Sequence, residues 1–266
     1  MSGMRSASGP RARLGALAPP ALLLLVFLVG WELATWLGKI DPGLLPGPVR
    51  VVRSTWDDRA ALWPAIRISS EEALLGVLVA IAFAVVLAIA IDWSRTVRRS
   101  LYPLIVASQT LPIIALAPLV VIWFGFGIGP KVVLVALFTF FAVAVGLVQG
   151  LSSADPDTMS LLRTMGASRR QILVRVRLPS AVPQFFTGLK VAVTYAYVAA
   201  IVAEFVGAQQ GLGVYMTTNK NALRTDLVFG AVLVTALLTL VLFGIVAILE
   251  HVAMPWRRPS ERGVEW

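Results

Sequence analysis

The stretch Asp155–Pro183, DPDTMSLLRTMGASRRQILVRVRLPSAVP, decides how this chain is read. It is a basic, amphipathic insertion between long apolar segments. Asp155-Pro156 is a helix start, an acceptor at the cap followed by proline at the first helical position. Met159, Leu162, Met165 and Gly166 recur at helical spacing, so the short helix has one apolar face. Gly166 supplies its left-handed stop. Ser168-Arg169-Arg170-Gln171 fits a capping box and reopens a helix. Ile172 and Val176 share a face of that second helix, surrounded by Arg169, Arg170, Arg175 and Arg177. Leu178-Pro179 predicts its end, because a residue before proline avoids the helical region. Ser180 then caps the next helix. The segment reads as helix, glycine turn, helix. Two readings of it stand on physical grounds: an amphipathic pair lying on anionic headgroups, or a knuckle that docks a soluble protein.

The flanks are membrane-like. Of 266 residues, 58% are hydrophobic and 14% charged, outside the usual balance of a soluble domain. Leu14–Trp31, Ala73–Ile91, Leu101–Ile128, Val132–Val148 and Leu227–Leu249 contain no Asp, Glu, Lys or Arg. A spanning helix needs roughly 20 such residues. A sixth span, about 180–206, is apolar except for Lys190 and Glu204. The fold class expected is therefore an all-α membrane protein of six transmembrane helices with a cytoplasmic elbow. Residues 1–13 read as a disordered basic tail, 14–254 as one transmembrane domain with its elbow at 155–179, and 255–266 as a second tail. The helices are expected at about 15–37, 69–92, 101–125, 131–151, 180–206 and 226–251. A short interfacial helix follows Pro48, with Val49, Val52 and Trp56 on one side. The turn 92–100 is short and basic.

The net charge of +9 has a topological meaning. With the N-terminus inside, fourteen of the 23 Lys and Arg fall in the cytoplasm, eight outside, and Lys190 within a span. The bias places both termini in the cytoplasm. Lys39–Arg67 runs against it, an external segment with five cations. No interleaving of aromatic and basic residues supports nucleic-acid binding. The first apolar run is long and lacks a small-x-small cleavage site, so it reads as an uncleaved helix, with Glu32 near its outer end at the interface. With no cysteine and the single histidine His251, neither a disulfide nor a metal cluster is expected.

Pro103, Pro112 and Pro118 predict a kink or break in the third span. A broken membrane helix exposes backbone groups to protein or a cavity, which makes Pro112 and Pro118 candidates for a translocation path. Glu204 is the one intramembrane carboxylate in this reading; it either lines the path or caps nearby backbone groups. Lys190 snorkels toward the inner interface. Fourteen positions, roughly 21 Å of helix, separate it from Glu204, so the two do not pair. Tyr195 and Tyr197 read as packing hydroxyls. No phosphate loop, nucleophile elbow or paired-histidine zinc motif is present, so the chain is not expected to be an enzyme.

The elbow resembles the cytoplasmic loop of permease subunits of binding-protein-dependent ATP-binding-cassette importers. Gly166 and Leu178-Pro179 stand at the family spacing. Val176 takes the isoleucine place, and Ser160-Leu161-Leu162 replaces the family's Glu-Ala-Ala. Three further segments resemble the nitrate, sulfonate, taurine and pyrimidine-precursor branch: Leu111-Pro112 to Pro118-Leu119 with Trp123-Phe124-Gly125, Val202-Ala203-Glu204 with Gly207-Ala208, and Gly211-Leu212-Gly213. The resemblance covers about residues 20–255. It implies that the elbow sits in a cleft of an ATPase subunit, with Leu161, Leu162, Met165, Gly166 and Ala167 transmitting ATPase closure and Arg169 and Arg170 at the rim. It implies a homodimer in the inner (plasma) membrane, two ATP-binding subunits and an extracytoplasmic solute-binding protein, with no cofactor on this chain. Hydroxymethylpyrimidine- or riboflavin-type solutes are favoured over sulfonate, taurine or nitrate. Two other readings stand beside it. An ion-driven secondary transporter predicts several intramembrane carboxylates. A membrane scaffold or membrane-embedded enzyme requires a partner surface or catalytic cluster beyond the elbow.

Overall fold

The computed structural model describes residues 10–255, apart from Lys39, Pro42, Gln109 and Leu111. Of the tails expected at 1–13 and 255–266, residues 1–9 and 256–266 lie outside the described residues, whereas 10–13, expected as disordered tail, already belong to the first helix. In chain order the helices are α1 (Pro10–Leu37), α2 (Pro48–Asp57), α3 (Arg59–Trp93), α4 (Arg95–Ser108), α5 (Ile113–Phe124), α6 (Ile128–Ser152), α7 (Pro156–Thr164), α8 (Arg169–Ile172), a π turn at Leu173–Arg177, α9 (Leu178–Gly207), α10 (Leu212–Asn221) and α11 (Thr225–Ala253). No strand occurs among the described residues.

Four stretches are long and apolar enough to cross a bilayer: α3, α6, Arg169–Gly207 and α11. The other two expected spans correspond to α1 and to the pair α4–α5. The third span breaks between Ser108 and Ile113, and Pro112 stands at the N-cap of α5. The break is the one the prolines predict, since Pro112 has no amide hydrogen to continue the ladder of α4.

Two expected turns differ from the reading. The turn 92–100 is mostly helical, because α4 begins at Arg95. Leu178-Pro179 does not end a helix: the chain runs helically from Arg169 through Gly207. The π turn at Leu173–Arg177 explains this. Its wider winding bonds the Leu178 amide to the Leu173 carbonyl. That shifts the carbonyls with which the ring of Pro179 would collide in an α-helix. Ser180, expected as a cap, instead donates its hydroxyl to the Val176 carbonyl at 2.8 Å.

The core is the α6–α9 pair, flanked by α3. Gly146 and Gly188 face each other there. A Cβ on Gly146 would lie 2.6 Å from the Gln184 carbonyl oxygen, so nothing larger than glycine permits this approach. Small residues at the crossing replace the hydrophobic drive that lipid does not supply between helices. α3 starts ten residues before the span expected from 69, and its first turns bury Leu62 and Ala65 with Ile201 of α9 and Leu212 and Met216 of α10.

Candidate functional site

The elbow hangs from the end of the bundle where α3 and α6 finish and α9 begins. Asp155 caps α7, accepting from the amides of Asp157 (3.2 Å) and Thr158 (3.1 Å) and from the Thr158 hydroxyl. The hydroxyl bond foremost, then the two amide bonds, holds its carboxyl below the ordinary aspartate range. At the far end Gly166 adopts φ +81°, its amide bonds to the Arg163 carbonyl (3.0 Å), and the Ala167 amide bonds to the Leu162 carbonyl (2.9 Å). These are the paired bonds of a Schellman motif. Ser168 and Gln171 then form the expected capping box, with bonds of 3.3 and 2.7 Å.

Local chemistry shapes the elbow, and a long-range contact fastens it. Ile172 is buried, and Arg177 forms a salt bridge to Asp92 in the last turn of α3. The Arg177 Nε also lies 3.3 Å from the Met159 sulfur of α7. Most side chains of the tip are exposed. Leu161 and Met165 are 61% and 74% exposed, Gly166, Arg169 and Arg170 are exposed, and Leu162 and Ala167 are half-buried. All seven residues predicted for coupling therefore meet at one turn.

The path candidates do not meet. Pro112 and Pro118 are exposed on α5. An open cleft of about 510 Å³ lies between α5, α6 and α9, to which α5 contributes Leu116, not a proline. Gln149, Gln184 and Thr187 give this otherwise apolar cleft its polar positions, beside Phe138 and Tyr195. Tyr195 packs edge-on to Phe138 at 5.5 Å, and Tyr197 is buried and donates to the Ser70 hydroxyl at 3.0 Å. Sequence reasoning missed Gln149, Gln184 and Thr187. Their only signal was polarity next to or within an apolar run, which says nothing of the direction they face.

Glu204 lies far from the elbow, buried at the opposite end of the bundle. One carboxylate oxygen accepts from the Ser69 hydroxyl, and the other from the Gly213 amide at the start of α10. Ser69 in turn accepts from the Leu212 amide at 2.8 Å. The N-cap position of α10 is Gly211, at φ +129° and with no capping side chain. A Cβ there would collide with the Glu204 carboxylate. The acid of α9 thus does the work that a local Ser or Asp does at most helix starts. Glu32 repeats the device at α2: it accepts from the Val49 amide (3.2 Å), and the N-cap is again a glycine, Gly47.

Beside Glu204 two further charges are buried. Lys131, at the outer edge of the fourth expected span, sits in the first turn of α6 at 8% exposure, its Nζ 2.6 Å from Glu72 of α3. Lys190 does not stand alone either; it forms a salt bridge to Glu250 of α11. Glu204 is therefore not the single carboxylate of the helical bundle. Glu72 and Glu250 escaped notice because each stands at the edge of an uncharged run.

Residues 74–252 match the family described as "Binding-protein-dependent transport system inner membrane component". The chain is 36% identical over 241 residues to the formylaminopyrimidine transport permease protein ThiX of Halalkalibacterium halodurans, covering 90% of this chain and 96% of the relative. It is 32% identical over 241 residues to the taurine transport system permease protein TauC of Escherichia coli, covering 88% and 87%. Among solved structures, a chain of the inward-facing MetNI methionine ABC transporter superposes with a TM-score of 0.59 at 16% identity, covering 76% of this chain and 98% of that one. An apolar helical bundle with a capped elbow, a family match over most of its length and these relatives agree: the chain belongs to the binding-protein-dependent ABC importer permeases, in the branch that includes the sulfonate, taurine and pyrimidine-precursor systems.

Proposed function

We propose that this chain pairs with a second copy to form the translocation path of an importer. Two cytoplasmic ATP-binding subunits grip the elbows, and an extracytoplasmic binding protein delivers the solute at the opposite end. The observation that carries this reading is the α7 tip. Leu161 and Met165 are exposed beside Gly166, while Arg177, Asp92 and Ile172 fix the base of the same segment. An apolar tip on a fastened lever suits a cleft in a soluble subunit, with Arg169 and Arg170 meeting acidic groups at its rim. ATP hydrolysis belongs to those subunits, and both termini lie in the cytoplasm with the elbow.

The cleft lined by Gln149, Gln184, Thr187 and Tyr195 is our choice for the path. Pro112 and Pro118 act on it through the break that frees α5 to move, and Glu204 acts by holding α10. The solute is a small nitrogen heterocycle of the pyrimidine-precursor class. The 36% identity to the formylaminopyrimidine permease supports this, as does a cleft with neutral polar positions and no basic residue to hold a sulfonate. The test is uptake into proteoliposomes holding the chain, its ATPase and its binding protein. ATP-dependent accumulation of formylaminopyrimidine but not taurine is the expected result. ATP-independent accumulation driven by an ion gradient overturns the importer reading. Accumulation of taurine alone overturns the solute.

A further inference from the structure

A groove of about 680 Å³ lies between α1 and α2, at the end of the bundle away from the elbow. Its walls are Leu28 and Val29 of α1 and Val49, Val52 and Trp56 of α2, with Arg53 and Glu32 also lining it. The walls are almost wholly apolar and open to the surroundings. Val49, Val52 and Trp56 all stand well over half exposed. Arg50 and Arg53 rise from the same helix and are exposed.

The charges on α2 favour an anion, with Arg50 and Arg53 against the single exposed carboxylate of Asp57. Glu32, the one acid that lines it, is engaged with the Val49 amide at the start of α2. Asp41 accepts from the Gly43 amide (2.8 Å), and Asp58 from the Tyr215 hydroxyl. Arg67 is paired with Glu71 at 2.9 Å, and Arg59 lies over the Trp56 ring at 5.2 Å. Arg50 and Arg53 have no carboxylate partner among the described residues. These arginines belong to the segment that opposes the charge bias of the whole chain. A site that needs them removes that anomaly.

We propose that the α1–α2 groove binds one anionic phospholipid of the surrounding bilayer. An acyl chain lies along Leu28, Val29, Val52 and Trp56, and the phosphodiester takes donors from Arg50 and Arg53. An acyl chain asks only for apolar walls and leaves no polar group unsatisfied, which suits a groove with so few polar atoms. Arginine offers paired donors in the geometry a phosphate accepts. Trp56 marks the level at which headgroup and chain meet. A protein helix in the same place would have to bring an acid to each arginine.

Native mass spectrometry of the full chain, released from nanodiscs of equal phosphatidylglycerol and phosphatidylcholine, tests the proposal. Retention of one phosphatidylglycerol per chain is expected, about tenfold over phosphatidylcholine. Arg50→Gln/Arg53→Gln removes the preference, and Val52→Trp fills the groove and removes the lipid altogether. Both variants alter exposed positions, and thermal unfolding checks that they fold. Equal retention of both lipids by the wild type, or retention unchanged in both variants, overturns the site. The chain has no cysteine, so Val52→Cys is a single thiol. Disulfide formation between two copies in the membrane assigns the groove to a protein contact and also overturns it.

Discussion

Arg177, at the foot of the elbow, is salt-bridged to Asp92, eighty-five residues earlier in the chain, and the same guanidinium touches Met159 of α7. One side chain therefore joins the last turn of a membrane-spanning helix to the short first helix of the elbow. Both partners are mostly buried. Asp92→Ala is expected to cost about 1–3 kcal/mol and to reduce transport more than ATPase binding, because the elbow remains but its fastening is lost. The exchange Asp92→Arg/Arg177→Asp should recover transport over either single variant. Uptake in proteoliposomes beside an ATPase pull-down reads both effects.

At the tip, Gly166→Arg places a long cation on a left-handed residue that the turn requires. The backbone cost is only about 1–2 kcal/mol, too little to expel the chain from the membrane. The ATPase should be lost from pull-downs and uptake abolished while membrane insertion is unchanged. Undiminished uptake by this variant would sink the coupling role of the elbow.

Glu204→Ala removes the acceptor of the Ser69 hydroxyl and the Gly213 amide. Two hydrogen bonds lost at a buried site cost about 2–4 kcal/mol, seen as a lower unfolding midpoint in detergent. Glu204→Gln retains one carbonyl acceptor and is expected to fall between. Normal transport by a folded Glu204→Gln protein would make the acid structural. A stable protein that no longer transports would place Glu204 on the path.

The buried pair Glu72–Lys131 makes a contrasting prediction. Glu72→Leu or Lys131→Met alone leaves one buried charge and is expected to destabilise by about 3–5 kcal/mol. The double variant removes both and should recover most of that loss. A double-mutant cycle in thermal unfolding decides it, and additive losses would show that the two side chains do not support each other.

Asp155 gives a pH dependence. Its folded-state pKa lies below the unfolded value, so its contribution to the start of α7 is fully present above the unfolded pKa. It is lost only as pH falls through the depressed folded value. Protection of the Asp157 and Thr158 amides, measured against an unprotected amide at the same pH, should hold through mildly acidic pH and fall at lower values. Asp155→Ala should show the lower protection at every pH.

The two helix starts and the glycine turn of the elbow were legible because their chemistry is local. Asp155 bonds to Asp157 and Thr158, Gly166 turns α7, and Ser168 and Gln171 cap each other, all within three positions. The uncharged runs likewise announced the spans, since lipid admits few alternatives to a helix. Proline was legible only in part. At Pro112 the missing donor breaks a helix, whereas before Pro179 a π turn absorbs the same defect. Tertiary structure alone decided the rest. Ser69, Glu204 and Gly213 come from three helices, as do Glu72, Lys131 and Glu204. The carboxylates of Glu32 and Glu204 became helix caps because α2 and α10 start at glycines that leave them room. A sequence shows that a membrane charge must find a partner. The helix packing, set by contacts such as Gly146 on Gly188, decides which one.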